Sequence, residues 1–264
     1  MNRIGFIGAG NMGGALAIAA AKTDCTVLVS DHDTVKAQAL CQRIGAVPVD
    51  NDTVCTECDL IYLGVKPQML AGVAEQLSPV LQARTTPYCL VSMAAGVTLE
   101  RLGELFPGAA VIRIMPNTPV AVGQGMILYC YNDQTTDAQV GTFLDAMAQA
   151  GKLDLLDESL FDAATSVSGC GPAFAYMFAD ALAKGGAECG LPYEKAAEYA
   201  AQMMLGAARM LQADPRTPEE LRVAVCSPGG STIEGVKVLW QNDLEHAVQD
   251  AVKASFERNK QLGK

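Results

Sequence analysis

Histidine is almost missing from this sequence. His32 and His246 are the only two in 264 residues. That scarcity argues against an imidazole-rich metal centre and against chemistry that needs a histidine proton donor. His32 directly follows Asp31, and His246 stands among polar residues near the end; both read as surface residues. Positive charge is also short, with 19 Lys and Arg against 29 Asp and Glu, a net charge of −10. An acidic chain of this kind is a poor match for nucleic acid or an anionic membrane surface. No run of 18 apolar residues occurs and no signal-peptide pattern opens the chain, so a cytoplasmic protein with no membrane span is expected. The nine cysteines are an odd number scattered through apolar runs, which reads as buried thiols in a reducing compartment. Cys55 and Cys58 form one CxxC with no second pair to complete a zinc site, so no metal is expected.

Apolar residues make up 50% of the chain, enough for a substantial core. In the first half, short apolar runs of strand length ("RIGFIG", "CTVLVS", "DLIYLGV", "YCLVS", "AVIRIM") alternate with helix-like segments at 11–22, 33–44, 67–77 and 98–105. Such alternation predicts a parallel sheet with helices on both faces. "GMILYC" at 125–130 adds a possible edge strand, followed by a helix near 135–149. Beyond residue 157 the β-branched runs fade and Ala, Met and Leu dominate. Two long helices, a shorter one near 217–225 and a last one from about 231 are expected there. The long helices are apolar around much of their circumference, which predicts burial against a second subunit. The expected fold class is therefore α/β: a doubly wound sheet over 1–157, then an all-helical dimerisation and substrate domain over 158–264.

"FIGAGNMGGALA" places Gly8, Gly10 and Gly13 at GxGxxG spacing, after a strand and at the start of a helix. In that context the motif is a Rossmann dinucleotide fingerprint. The first glycine makes the turn, the second admits a pyrophosphate to the backbone, and the third lets helix and strand pack closely. The helix N-terminus offers free N–H groups to the phosphates. Asp31 ends the second strand, where a carboxylate bonds the adenosine ribose and repels a 2′-phosphate. No arginine stands near, so the residues favour NADH over NADPH. The competing reading makes Asp31 the cap of the helix starting near 33. With no convincing histidine acid, a substrate that is already protonated fits better than a hydroxy acid, and a cyclic iminium is such a substrate.

The motifs "GAGNMG" (8–13), "GVKP" (64–67), "SMAAGVT" (92–98), "RIMPNTP" (113–119), "SGCGPAF" (168–174) and "CSPGGST" (226–232) occur in this order. Together they resemble the pyrroline-5-carboxylate reductase family over nearly the whole chain. The resemblance implies reduction of 1-pyrroline-5-carboxylate to L-proline with NADPH or NADH. It also implies a Rossmann domain and a helical domain that joins two subunits, with decamers in some members. It places Asn11 and Met12 with the glycine loop, and Ser30, Asp31 and Asn51 near the adenosine. Val65, Lys66 and Pro67 fall beside the cofactor, with Lys66 in a catalytic role, and Ala95 and Asn117 on the nicotinamide side. Ser168, Gly169, Cys170 and Gly171 fall in one substrate segment, with Pro172 in the first turn of the next helix. Val225, Gly229, Gly230, Ser231 and Thr232 fall in the other. There the Gly229 and Gly230 N–H groups would meet the substrate carboxylate, and the Thr232 hydroxyl the ring nitrogen. Asp157 matches an acidic position near the substrate entrance.

Three positions depart from the family pattern. Cys170 stands where serine is common, Phe174 where tyrosine is common, and Asp31 where many relatives place a residue that receives a 2′-phosphate. Two rival readings remain: a β-hydroxyacid-type dehydrogenase, for which Lys184 is the nearest candidate lysine, and a non-catalytic sensor of dinucleotide or proline.

Overall fold

The structure, a computed structural model, describes residues 2–262. Its first part alternates strand and helix: β1 (Arg3–Ile7), α1 (Asn11–Ala20), β2 (Thr26–Ser30), α2 (Thr34–Ile44), β3 (Val47–Pro48), α3 (Asn51–Glu57) and β4 (Leu60–Leu63). Then come α4 (Leu70–Ala83), β5 (Cys89–Ser92), α5 (Leu99–Leu105), β6 (Ala110–Met115), β7 (Gly125–Tyr131), α6 (Asp137–Met147) and β8 (Gly151–Leu155). One eight-stranded sheet has the order β3-β2-β1-β4-β5-β6-β7-β8. The strands from β3 to β6 are parallel, β7 runs antiparallel to β6, and β8 runs parallel to β7. The order reverses between β1 and β4, which makes their carboxyl ends the switch point where such sheets bind dinucleotides.

The central strands are buried on both faces, which explains why they read as continuous apolar runs. Every residue of β4 and β5 is buried. Side chains still alternate: Leu60 and Tyr62 enter one core layer, Ile61 and Leu63 the other. Phe6 stacks on Tyr62 at 4.5 Å between ring centroids. Each fully buried aliphatic or aromatic side chain stabilises the fold by about 1.5–3 kcal/mol.

The expected elements of this half are present, with three additions. β3 and β8 form the two edges of the sheet, so "GMILYC" is one strand in from the edge. β3 is two residues long and contains Pro48, which can sit only where no ladder donor is needed. α3 has seven residues, capped by Asp50, whose carboxylate accepts from Thr53 N at 2.7 Å.

The remainder is helical: α7 (Phe161–Ser168), α8 (Gly171–Glu188), α9 (Tyr193–Ala213), α10 (Pro218–Ala224), α11 (Ser231–Gln241) and α12 (Leu244–Leu262). The last expected helix is two helices, parted at Asn242 and Asp243, where Asp243 has φ 55°. Residues 2–170 and 255–262 form one compact unit, and residues 171–254 form another. The expected boundary after 157 differs from this division at two places: α7 with the turn before it, and the last part of α12 from residue 255, both fall in the first unit. The second unit buries only Ala183, Ala196 and Ala200 among its described apolar residues. Tyr176, Met177, Leu205 and Trp240 are more than half exposed in the single chain. A helical unit with so little core of its own has its apolar surface left for other helices.

Candidate cofactor and substrate site

The three fingerprint glycines play different parts. Gly8 has φ 108°, and a Cβ on it would lie 2.5 Å from the Gly64 carbonyl oxygen. A Cβ on Gly13 would lie 2.2 Å from the Gly8 carbonyl oxygen. Both are therefore required by the protein's own packing of α1 against β1 and β4. Gly10 is not: its φ is −65°, and a Cβ there would meet nothing within 4 Å. It is the N-cap of α1, and no side chain bonds the first-turn amides. An open backbone approach at a bare helix N-terminus fits a pyrophosphate. Asn11 and Met12 are the first two residues of that helix.

Asp31 closes the loop from the other side. One carboxylate oxygen accepts from Ala9 N at 2.6 Å, and the other accepts from Asp33 N at 2.8 Å and lies 2.9 Å from His32 Nδ1. Its side chain is 6% exposed. The cap of α2 is Asp33, which accepts from Lys36 N, so the capping reading of Asp31 is replaced by a tie between the glycine loop and the end of β2. Beside it, the Ser30 hydroxyl donates to Asn51 Oδ1 at 2.7 Å and so turns the Asn51 amide nitrogen away from that contact. Ser30, Asp31, Asp50, Asn51 and Asp52 share a cavity of ≈ 770 Å³. No lysine or arginine is among its described lining residues.

Across the switch point lie the segments after β4, β5 and β6. Val65, Lys66 and Pro67 follow β4; Lys66 is exposed and its carbonyl accepts from Met69 N in a short 3-10 turn that Pro67 begins. Ala95 lies in the turn after β5, next to Gly96 with φ 76°. Asn117 follows β6. Its Nδ2 donates to the Ser168 carbonyl at 2.9 Å, and its Oδ1 accepts from Met126 N at 2.9 Å. The amide thus ties the end of β6 to β7 and to the end of α7. Ser168 and Gly169 close α7, with the Gly169 and Cys170 N–H groups both donating to the Thr165 carbonyl. Gly171 begins α8, with Pro172 in its first turn.

Sequence reading missed Arg113 and Glu158 in this region. Arg113 Nη1 donates to Glu158 Oε1 at 2.6 Å, and its guanidinium lies 4.7 Å from the Phe161 ring centroid. The Leu99 N–H, at the start of α5, donates to the same oxygen at 2.8 Å. An arginine inside the apolar strand "AVIRIM" was the available signal. Asp157 caps the turn after it, accepting from Ser159 N and Oγ, and those bonds hold its carboxyl below the usual range.

In the second unit, the segment after α10 runs from Val225 through Cys226 to a tight turn. Gly229 has φ 71°, and Gly230 N donates to the Ser227 carbonyl. A Cβ on Gly230 would meet Ser227 Oγ at 2.5 Å. Gly230 is the N-cap of α11, again with no side chain on the first-turn amides. Ser231 and Thr232 are the first two residues of that helix, and both are exposed. Lys184 is paired with Asp180 at 2.6 Å, and that bond keeps it charged and its pKa raised, the opposite of a base poised near neutrality. His246 is exposed on α12 beside Asp243. Burial pushes the Cys55, Cys58, Cys89 and Cys130 thiols up to about 12. Among the described residues there is no cluster that could hold a metal ion.

The comparisons with known proteins agree in one direction. Residues 158–262 match the family model "Pyrroline-5-carboxylate reductase dimerisation", and residues 3–96 match "NADP oxidoreductase coenzyme F420-dependent". Pyrroline-5-carboxylate reductase of Pisum sativum is 36% identical over 263 residues, covering 98% of this chain and 95% of that one. A pyrroline-5-carboxylate reductase structure from Coxiella burnetii superposes with a TM-score of 0.90 at 28% identity, covering 100% of this chain and 99% of that one. A Plasmodium falciparum pyrroline carboxylate reductase with NADP bound gives 0.87 at 28% identity, with 100% and 98% covered. With a Rossmann-type sheet carrying an open glycine loop, and a helical unit matching a dimerisation family, the chain belongs to the pyrroline-5-carboxylate reductase family.

Proposed function

We propose that this protein reduces 1-pyrroline-5-carboxylate to L-proline with a reduced nicotinamide cofactor. The observation that carries the reading is the pair of glycine-capped helices. α1 and α11 each start at a glycine with no side chain on the first-turn amides, at Gly10 and at Gly230. The reaction has two anions to hold, the cofactor pyrophosphate and the substrate carboxylate, and each suits such a terminus. When bound, the cofactor supplies a hydride to the imine carbon. The electron pair of the C=N bond moves to the ring nitrogen, which already carries a proton in the iminium form. The chain therefore needs no strong acid, in keeping with its two peripheral histidines. In this reading Gly229, Gly230 and Ser231 hold the carboxylate, and the Thr232 hydroxyl bonds the ring nitrogen and orients it. Val65, Lys66, Pro67 and Ala95 shape the nicotinamide side, with Lys66 adding positive charge. Ser168, Gly169 and Cys170 complete the substrate wall, and the helical unit pairs two chains.

For the cofactor, we propose NADH in preference to NADPH. Asp31, Asp50 and Asp52 line the adenosine cavity with no lysine or arginine among its described lining residues. A 2′-phosphate there would meet like charge at short range. The test is cofactor oxidation by purified protein with pyrroline-5-carboxylate, run in parallel with NADH and NADPH. Turnover with NADH at the higher kcat/KM is the expected result. No turnover with either would overturn the reductase reading, and a preference for NADPH would overturn the cofactor reading alone.

A further inference from the structure

Within the first unit, one ion pair, its arginine buried and its glutamate 30% exposed, touches three segments that lead to the proposed nicotinamide side. Arg113 is on β6, four residues before Asn117, and is 4% exposed. Glu158 stands in the turn that leads into α7, whose last residue is Ser168. Leu99 N, the third partner, begins α5 just after the turn that carries Ala95. Asn117 then closes the circuit through its bond to the Ser168 carbonyl. The adenosine cavity shares none of these contacts; its residues come from β2, α2, β3 and α3 and their flanking loops.

The pair is an expensive way to make a core. Burying an arginine charge is repaid only partly by one carboxylate, and replacing such pairs with apolar residues is often neutral or stabilising. Here Arg113 Nε is buried with no hydrogen-bond partner, which adds to the cost. What the pair supplies that an apolar contact would not is direction. The guanidinium fixes the Glu158 carboxylate, and one oxygen of that carboxylate accepts from both Arg113 and Leu99.

We infer that the Arg113–Glu158 pair is a positioning device that sets the ends of β5, β6 and α7 to hold the nicotinamide ring for hydride transfer. The inference rests on the dinucleotide reading of the first unit. It acts on geometry at one end of the cofactor and leaves affinity, which is dominated by the adenosine and pyrophosphate contacts, nearly unchanged. Displacement of reacting groups by about 1 Å lowers rates by about a hundredfold.

The test uses Glu158→Ala and Glu158→Gln in the full-length protein. Gln retains an oxygen able to accept from both N–H groups; Ala retains nothing. Glu158→Ala should keep its NADH Kd within about threefold of wild type, while kcat falls about ten- to a hundredfold. The primary isotope effect with C4-deuterated NADH should rise, because hydride transfer becomes slower relative to release, and a merely structural lesion would not raise it. The fluorescence lifetime of bound NADH should also change, which reads ring placement without turnover. Glu158→Gln should recover most of kcat and the wild-type lifetime. A folded Glu158→Ala protein with wild-type kcat and lifetime, or a Glu158→Gln protein no better than Ala, would overturn the inference. If Ala does not fold, Glu158→Asp decides: its carboxylate is one methylene short of Leu99 and Arg113, and a wild-type lifetime there overturns the inference. A wild-type protein that binds NADH but leaves pyrroline-5-carboxylate untouched would sink the substrate reading, and the lifetime arm would still decide the inference.

Discussion

The glycine loop allows stability and binding to be separated within four residues. Alanine at Gly13 would put a Cβ 2.2 Å from the Gly8 carbonyl oxygen, about 0.8 Å inside the 3.0 Å that real contacts respect. The obstacle is backbone, so it cannot rotate away. Either α1 must lift from the sheet or β1 must shift, and overpacking of this kind costs about 3 kcal/mol. Alanine at Gly10 meets nothing within 4 Å and keeps φ near −65° without strain. Its reduced unfolded-state entropy favours folding, and its poorer N-cap opposes it, each by less than about 1 kcal/mol. Gly10→Ala should therefore unfold in urea at nearly the wild-type midpoint. Its methyl would stand in the approach to the α1 amides, where one charge-assisted hydrogen bond at about 1.5–3 kcal/mol is at stake. NADH affinity should fall on the order of ten- to a hundredfold, read by fluorescence titration. Gly13→Ala should show the reverse order of effects, with the larger loss in stability. Wild-type NADH affinity in Gly10→Ala would refute the assignment of this loop to a pyrophosphate.

Three further outcomes are expected. Asp31→Ser removes a charge from the cavity assigned to the adenosine, along with the acceptors for Ala9 and Asp33. Affinity for both cofactors should drop, while the NADH to NADPH ratio of kcat/KM falls about tenfold; an unchanged ratio would leave Asp31 with the loop tie alone. Thr232→Ala should lower kcat about tenfold or more with stability within about 0.5 kcal/mol of wild type, since the side chain is exposed; unchanged kinetics would remove Thr232 from the mechanism. The Cys55, Cys58, Cys89 and Cys130 thiols are raised from 9.0 to about 12 in the fold. Their contribution is complete below pH 9 and is lost as pH rises toward 12, at about 1.4 kcal/mol per unit for each thiol. The urea midpoint should fall steeply above pH 9, and a flat profile would mean the thiols are not desolvated.

Much of the first unit was legible because a doubly buried parallel sheet leaves apolar runs that turns and helices cannot hide. The glycine fingerprint was legible for the same kind of reason: only glycine satisfies the contacts at Gly8 and Gly13. Which glycine leaves open space for a ligand was not legible, since Gly10 differs from them only by the space around it. β3 escaped because it is two exposed residues, "VP", and β8 because "GKLDL" is only partly buried and carries no apolar run. α3 escaped because seven residues with two buried side chains have no readable period. Asp31 was placed correctly at the end of β2, but its bond to Ala9 spans 22 residues and belongs to no local pattern. Arg113 and Glu158 are 45 residues apart, and only the fold makes them one feature.

The most direct test of the account follows a label. Protein, pyrroline-5-carboxylate and NADH carrying deuterium at both C4 positions of the nicotinamide would be incubated, and the proline analysed by mass spectrometry. Proline carrying one deuterium at Cδ, the former imine carbon, is the result the account predicts. No proline, or proline without the label, would contradict it.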